Sequence, residues 1–222
     1  MVDAIVQGGL PLCLHGGGLW RSPTKLGPEK GAYIRDNDGR IAALTGQSLG
    51  GGYMAEVLSD PETIFWSQPI IAAVLAAGAV KHGADLAMLH AIQVANYVEG
   101  RRVVESGTLT DLAVSIGLDR AAFDSASDAG RAAEHIESSR AMMSGLGLHG
   151  LPNFVLETQG ERIRIPHAGF SGRSADFVEA VTRTACRHAA WDSGRSIPWS
   201  RRSDSRSRPE CPCPVPRCRK SR

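Results

Sequence analysis

The run Gly150-Leu151-Pro152-Asn153-Phe154-Val155-Leu156 constrains this chain more than any other stretch. A glycine and a proline lead directly into an apolar segment. Proline cannot donate to a sheet ladder, so it sits at the first residue of a strand, on an edge or at a bulge. It also permits a cis peptide bond, which is rare elsewhere. After the run come a turn at Gly160 and the alternating residues Arg162-Ile163-Arg164-Ile165. The pattern predicts a strand entered through Pro152, a hairpin partner and a final helix from Ser174. In that helix Phe177, Val178, Val181 and Ala185 form one apolar stripe.

The rest of the chain divides by punctuation. Met1 to Val6 reads as a helical turn closed by Gly8-Gly9. Leu10 to His15 is a short apolar run bounded by glycines, a buried-strand candidate. The Gly16-Gly17-Gly18 triplet that follows lacks the spacing of a phosphate loop and reads as a strand-end turn. Residues 22–53 predict loop, with one short helix from Gly39 to Thr45. The middle is helical. Ser67 and Pro69 open one helix that stops near Gly83, and Asp85 caps a second that closes at Gly100. Thr108 with Asp111 resembles a capping box for a helix ending at Gly117. Ser125 or Ser127 opens a longer one ending near Gly145. The Asp85–Gly100 helix is apolar nearly all round, so His90 is expected to be a core histidine. Met142 and Met143 are expected to fill core gaps.

Charge is uneven. The chain has a formal net charge of +2, yet residues 201–222 hold eight Lys or Arg against two acids, so the body is acidic and the tail basic. Beyond about Arg187, Arg, Ser and Pro dominate, a composition expected to be disordered. Specific nucleic-acid recognition is not implied. The start lacks a basic region followed by an apolar core, and the longest apolar run, Pro69 to Val80, is too short to span a bilayer. A soluble, cytoplasmic protein is expected, with no membrane partner.

Five cysteines are present, Cys13, Cys186, Cys211, Cys213 and Cys218, and no two are separated by two residues. Spacing therefore marks no redox dithiol. The three tail thiols fall short of the usual four zinc ligands. Neither a metal nor a cofactor is implied. Gly46-Gln47-Ser48-Leu49-Gly50 matches the nucleophile elbow of the α/β-hydrolases, with His149 or His167 as base, but that motif needs a strand before it. Arg40 to Leu44 reads as helix.

In order and spacing, four segments of residues 2–182 resemble the DsbA-like thiol–disulfide oxidoreductases of the thioredoxin superfamily, and in particular their FrnE-like branch. These are Leu10-Pro11-Leu12-Cys13-Leu14-His15-Gly16-Gly17-Gly18-Leu19, Leu44-Thr45-Gly46-Gln47, Ala91 to Arg101, and Gly150-Leu151-Pro152 with Ala168 to Arg173. The resemblance implies an α/β, thioredoxin-like fold with an inserted helical domain, lacking the first strand and the Cys-x-x-Cys. Residues 1–55 would be a partial N-terminal half, 56–147 the helical insertion, 148–186 the C-terminal half with the cis-proline strand, hairpin and helix, and 187–222 the tail. Pro152 matches the family's cis-proline and Leu151 the residue before it. Gly150, Leu151 and Pro152 are thus the expected substrate-binding residues, with no catalytic residue in the chain.

Cys13 would be an inert thiol buried in a strand. The family's dithiol would precede Met1, in an N-terminally truncated enzyme without turnover. The absent strand would lie between Leu10–His15 and Phe154–Glu157, leaving those two to pair directly or the chain to be unstable. Extended peptides or protein thiols, with glutathione as a further candidate, are the implied partners, as for oxidoreductases and protein disulfide isomerases of this kind. Alternatives left open are a glutathione-dependent 2-hydroxychromene-2-carboxylate isomerase, the Ser48 hydrolase and a non-catalytic peptide-binding module.

Overall fold

The computed structural model describes residues 1–158 and 160–192. It is a helix-rich mixed α/β structure that separates into two compact units, one of Met1–Cys13 and Pro152 onward, the other of Leu14–Leu151.

In the Leu14–Leu151 unit, α2 (Pro28–Thr45) is far longer than the Gly39–Thr45 helix expected; α1 (Val2–Gln7) belongs to the other unit. Pro28 lies in the first turn, where a missing N–H costs nothing. The polar stretch Asp36-Asn37-Asp38, expected as loop, is held in the helix with Gly39. Asn37 Nδ2 donates to the Tyr33 carbonyl, and the buried Tyr53 hydroxyl donates to Asp38 Oδ2 at 2.6 Å. Gly46 ends α2 in the left-handed region, φ 71°. A π-helical turn, Tyr53–Leu58, carries a small apolar cluster of Tyr53, Val57 and Leu58. The short strands β1 (Thr24–Lys25) and β2 (Ile64–Phe65) pair antiparallel.

Five helices form the main core: α3 (Ser67–Val80), α4 (Ala84–Tyr97), α5 (Ser106–Ser115), α6 (Arg120–Ala126) and α7 (Ala129–Gly145). The central one is α3, which touches the other four. Its buried residues are all alanines, Ala72, Ala73, Ala76 and Ala77, which let neighbouring helices approach closely. Met88, Ile92, Leu112 and Phe123 interlock with them.

Several expected details differ. His90 is exposed rather than in the core, because α4 buries only the face of Met88, Ile92 and Ala95. Thr108 caps nothing, since α5 already starts at Ser106 and Asp111 instead accepts from Arg120. The side-chain caps come from aspartates. Asp119 accepts from the Ala122 amide and opens α6, a helix the sequence reading missed. Asp128 accepts from the Gly130 and Arg131 amides and opens α7. Met142 and Met143 are half-buried.

In the other unit, α1 (Val2–Gln7) is as expected. The hairpin of β3 (Phe154–Thr158) and β4 (Glu161–Ile165) pairs Phe154 with Ile165, with Gly160 at φ 85° in the turn. Helix α8 (Ser174–Asp192) buries Phe177 and Val181. Phe177 meets Phe154 and Phe170 edge-on, with ring centres 4.8 and 5.5 Å away. Ile5 and Ile165 complete this core.

The expected strand at Leu10–His15 does not form. Leu10 and Leu12 pack on the Phe177 cluster, but their backbone joins no ladder, and β3 pairs with β4 alone among the described residues. Pro11 removes a donor from the middle of that segment. Direct pairing of the segment with Phe154–Glu157 is therefore absent. The last helix runs to Asp192, past the composition break near Arg187. Residues 193–222, with the three tail cysteines and nine of the 25 Lys and Arg, lie outside the described residues. No described helix is long and apolar enough to cross a membrane.

Candidate functional site

The triplet Gly16-Gly17-Gly18 is held from several sides by the Leu14–Leu151 unit. The Gly16 amide donates to His135 Nε2 on α7 at 2.9 Å. Arg140 Nη2, further along α7, donates to the Gly18 carbonyl at 2.6 Å. Glycine is required here because every approach is close. A Cβ on Gly16 would meet Ile71 Cδ1 at 2.7 Å, and one on Gly18, at φ 62°, would meet Ile136 Cγ2 at 2.8 Å. A Cβ on Gly17 would meet both methyl carbons of Leu151 at 2.8 Å. Leu151, expected as a substrate-binding residue, therefore rests its side chain on the triplet.

An acceptor Nε2 requires a neutral imidazole at His135. Burial first, and the neighbouring His15 second, hold its pKa below the ordinary histidine value. The two imidazoles stack with centres 5.7 Å apart and planes 13° from parallel.

Of the three expected site residues, Gly150 sits at φ 74°, a conformation that favours glycine. Leu151 is 47% exposed although large and apolar, and Pro152 is exposed. The chain thus presents an apolar residue and a proline to solvent immediately before β3. Sequence reasoning missed His135 and Arg140. They lie 119 and 122 residues from the glycines they bind, and no local signal connects them.

The other candidates resolve differently. Ser48 follows helix α2 rather than a strand, so the hydrolase elbow is not formed. Its glycines have structural roles. Gly46 terminates α2, and a Cβ on Gly50 would lie 1.8 Å from the Val98 carbonyl oxygen. Cys13 is exposed and not in a strand, and both Cys13 and Cys186 are disulfide-bonded, which corrects the expectation of an inert buried thiol. Among the described residues no group of three or more His, Cys, Asp or Glu side chains is placed to hold a metal. Two open clefts, about 390 Å³ beside Leu26, Arg35 and Pro61 and about 430 Å³ beside Ile163, Phe170 and Thr184, are not lined by Gly150, Leu151 or Pro152. The neutral histidine, the fixed backbone and the exposed apolar step make the Leu151 region the better candidate for an extended ligand.

Comparison with known proteins gives the family. The family model of the DSBA-like thioredoxin domain matches residues 62–180. The cytosolic disulfide reductase DsbM from Pseudomonas aeruginosa is 36% identical, with a TM-score of 0.74 over 82% of this chain and 88% of that one. The structure of that reductase with GSH aligns at 36% identity and a TM-score of 0.72, over 82% of this chain and 89% of that one. A candidate protein disulfide isomerase from Nitrosomonas europaea shares the fold at 22% identity and a TM-score of 0.64, over 76% of this chain and 79% of that one. Among curated protein sequences none matches.

Proposed function

This chain belongs to the family of DSBA-like thioredoxin domains, and on that premise we propose that it binds thiol-bearing extended ligands along Gly150-Leu151-Pro152. The ligands are peptide or protein thiols and the tripeptide glutathione, in the cytosolic setting of the Pseudomonas reductase. One observation carries the reading: Leu151, large and apolar, stays 47% exposed while braced on Gly17. That exposure supports an apolar surface for a ligand side chain at the residue before the proline that the resemblance marks. Strand β3, which follows at once, has a single ladder partner among the described residues. An extended peptide recognised by strand addition needs such a strand, with main-chain hydrogen bonds for affinity and a side-chain pocket for selection.

Turnover is a separate matter. The attacking group in thiol–disulfide exchange is a thiolate with a resolving partner. No Cys-x-x-Cys pair occurs in these 222 residues. The proposed role is binding and presentation of an extended ligand at the proline edge.

A labelled, extended, thiol-blocked peptide titrated into the full chain tests the reading by fluorescence anisotropy. Saturable binding is expected, weakened at least about tenfold by Leu151→Asp, or about 1.4 kcal/mol. Absence of saturable binding, or binding indifferent to both Leu151→Asp and Pro152→Ala, overturns it.

A further inference from the structure

We infer that Cys13 and Cys186 are joined to each other in a solvent-facing disulfide that glutathione can open, making Cys13 a site of S-glutathionylation. Both cysteines are disulfide-bonded, and they are the two cysteines among the described residues. Both belong to the same compact unit. The path between them is legible. A Cβ on Gly8 would lie 2.9 Å from Val178 Cγ1, so the chain leaving α1 starts alongside Val178 on α8. Val178, Thr182 and Cys186 follow at i, i+4 and i+8 and share one side of that helix. From residue 178 to 186 a helix rises about 12 Å. From residue 8 to 13 an extended chain reaches at most about 18 Å. Leu10 and Leu12 pack on the cluster containing Phe177, Val178 and Val181, which keeps the segment against the helix. Cys13 is thus delivered to the level of Cys186.

Exposure decides what such a bond can do. Structural disulfides resist reduction, whereas exposed ones are the labile or regulatory members of the class. Cys13 is exposed and Cys186 half-buried. A glutathione thiolate attacks Cys13 Sγ. The new S–S bond joins glutathione to Cys13, and the old one breaks with its electron pair on Cys186 Sγ, which takes a proton from water. A second glutathione attacks the glutathione sulfur of the mixed disulfide, releasing glutathione disulfide and the Cys13 thiol. Two electrons pass from two glutathiones to the protein, and no other reductant is needed. The step concerns a cysteine pair outside the Gly150-Leu151-Pro152 edge and does not depend on ligand binding there.

Peptide mapping of the full chain tests this, with thiols trapped at acid pH before non-reducing trypsin digestion. The expected product is peptide 1–21 linked to peptide 184–187. Glutathione treatment is expected to remove the linked species, with a glutathione adduct on peptide 1–21 trapped at early times before the second glutathione releases the Cys13 thiol. In Cys186→Ser, glutathione disulfide is expected to give the same adduct. Three results overturn the inference: Cys13 linked to a peptide holding Cys211, Cys213 or Cys218; both cysteines alkylated without reductant; or a linked peptide that survives glutathione while a small linear disulfide in the same tube is consumed. None of these changes the outcome of the peptide titration.

Discussion

Helices α3 and α8 anchor the two units in opposite ways. In α3 the buried face is four alanines, and stability comes from the closeness of four other helices around them. In α8 the buried face is centred on Phe177, fully buried, with Val181 beside it, against a two-stranded hairpin and the six-residue helix α1. The first design spreads its packing over many small contacts. The second concentrates it in a few large side chains. The alanine core should therefore suffer from added volume, and the aromatic core from removed volume.

The largest effect is expected from Phe177→Ala. Truncating a fully buried phenylalanine costs about 3–5 kcal/mol, and here the loss falls on a core with four buried residues. Native-state hydrogen exchange should show protection lost in β3, β4 and α8 and retained in α3 and α4. Equal loss in both units would break the comparison, since the two cores would then be one cooperative whole. Next comes Ala77→Leu. Ala77 is 0% exposed, and overpacking a filled core costs about 1–3 kcal/mol. Its denaturant midpoint should fall with amide protection lost first in α3, α4 and α7; an unchanged midpoint would mean that the alanine face has slack.

Smaller effects sharpen the picture within the helical unit. Asp128→Ala removes the acceptor for two amides at the start of α7, a loss of about 1 kcal/mol. Exchange should rise in the first turn of α7, and rescue by Asp128→Asn would assign the loss to the cap. The smallest is a pH effect. His135 has a folded pKa held below its unfolded value. The folded state thus favours the neutral ring. Its stability is present above the unfolded value of about 6.5 and is lost as pH falls toward the folded pKa. A pH series of unfolding midpoints should show this acid-side decline, flattened in His135→Gln. A decline of the same size in that variant would assign it to other groups.

Much of the fold was legible where local chemistry and tertiary demand agree. Pro152 and the alternating Arg162–Ile165 run located the hairpin, and the Phe177–Val181 stripe located α8. The boundaries of α3 and α4 followed from Ser67, Gly83 and Gly100. Failures occurred where distant partners decided the outcome. The Asp36–Gly39 stretch is helical because Tyr53 reaches back to Asp38. The apolar run at Leu10–His15 looked like a strand, yet a strand requires a ladder partner that periodicity cannot supply. Within the candidate site Gly150, Leu151 and Pro152 were marked by sequence alone, and the glycine triplet was noticed but read only as a turn. That His135 and Arg140 clamp the triplet could not be read from residues more than a hundred positions apart. Glycines Gly46 and Gly50 mimicked a catalytic motif because close backbone packing and sharp turns select the same residue that an elbow does.

In the proposed role the Leu151 step, braced on the glycine triplet, receives an extended thiol ligand. Backbone amide shifts measured during titration with S-methylglutathione test it most directly, because this analogue cannot exchange with any disulfide. Saturable shifts concentrated at Gly16–Gly18, Gly150 and Leu151 are expected. Shifts confined to the cleft beside Leu26 and Pro61, or none at saturating ligand, would contradict it.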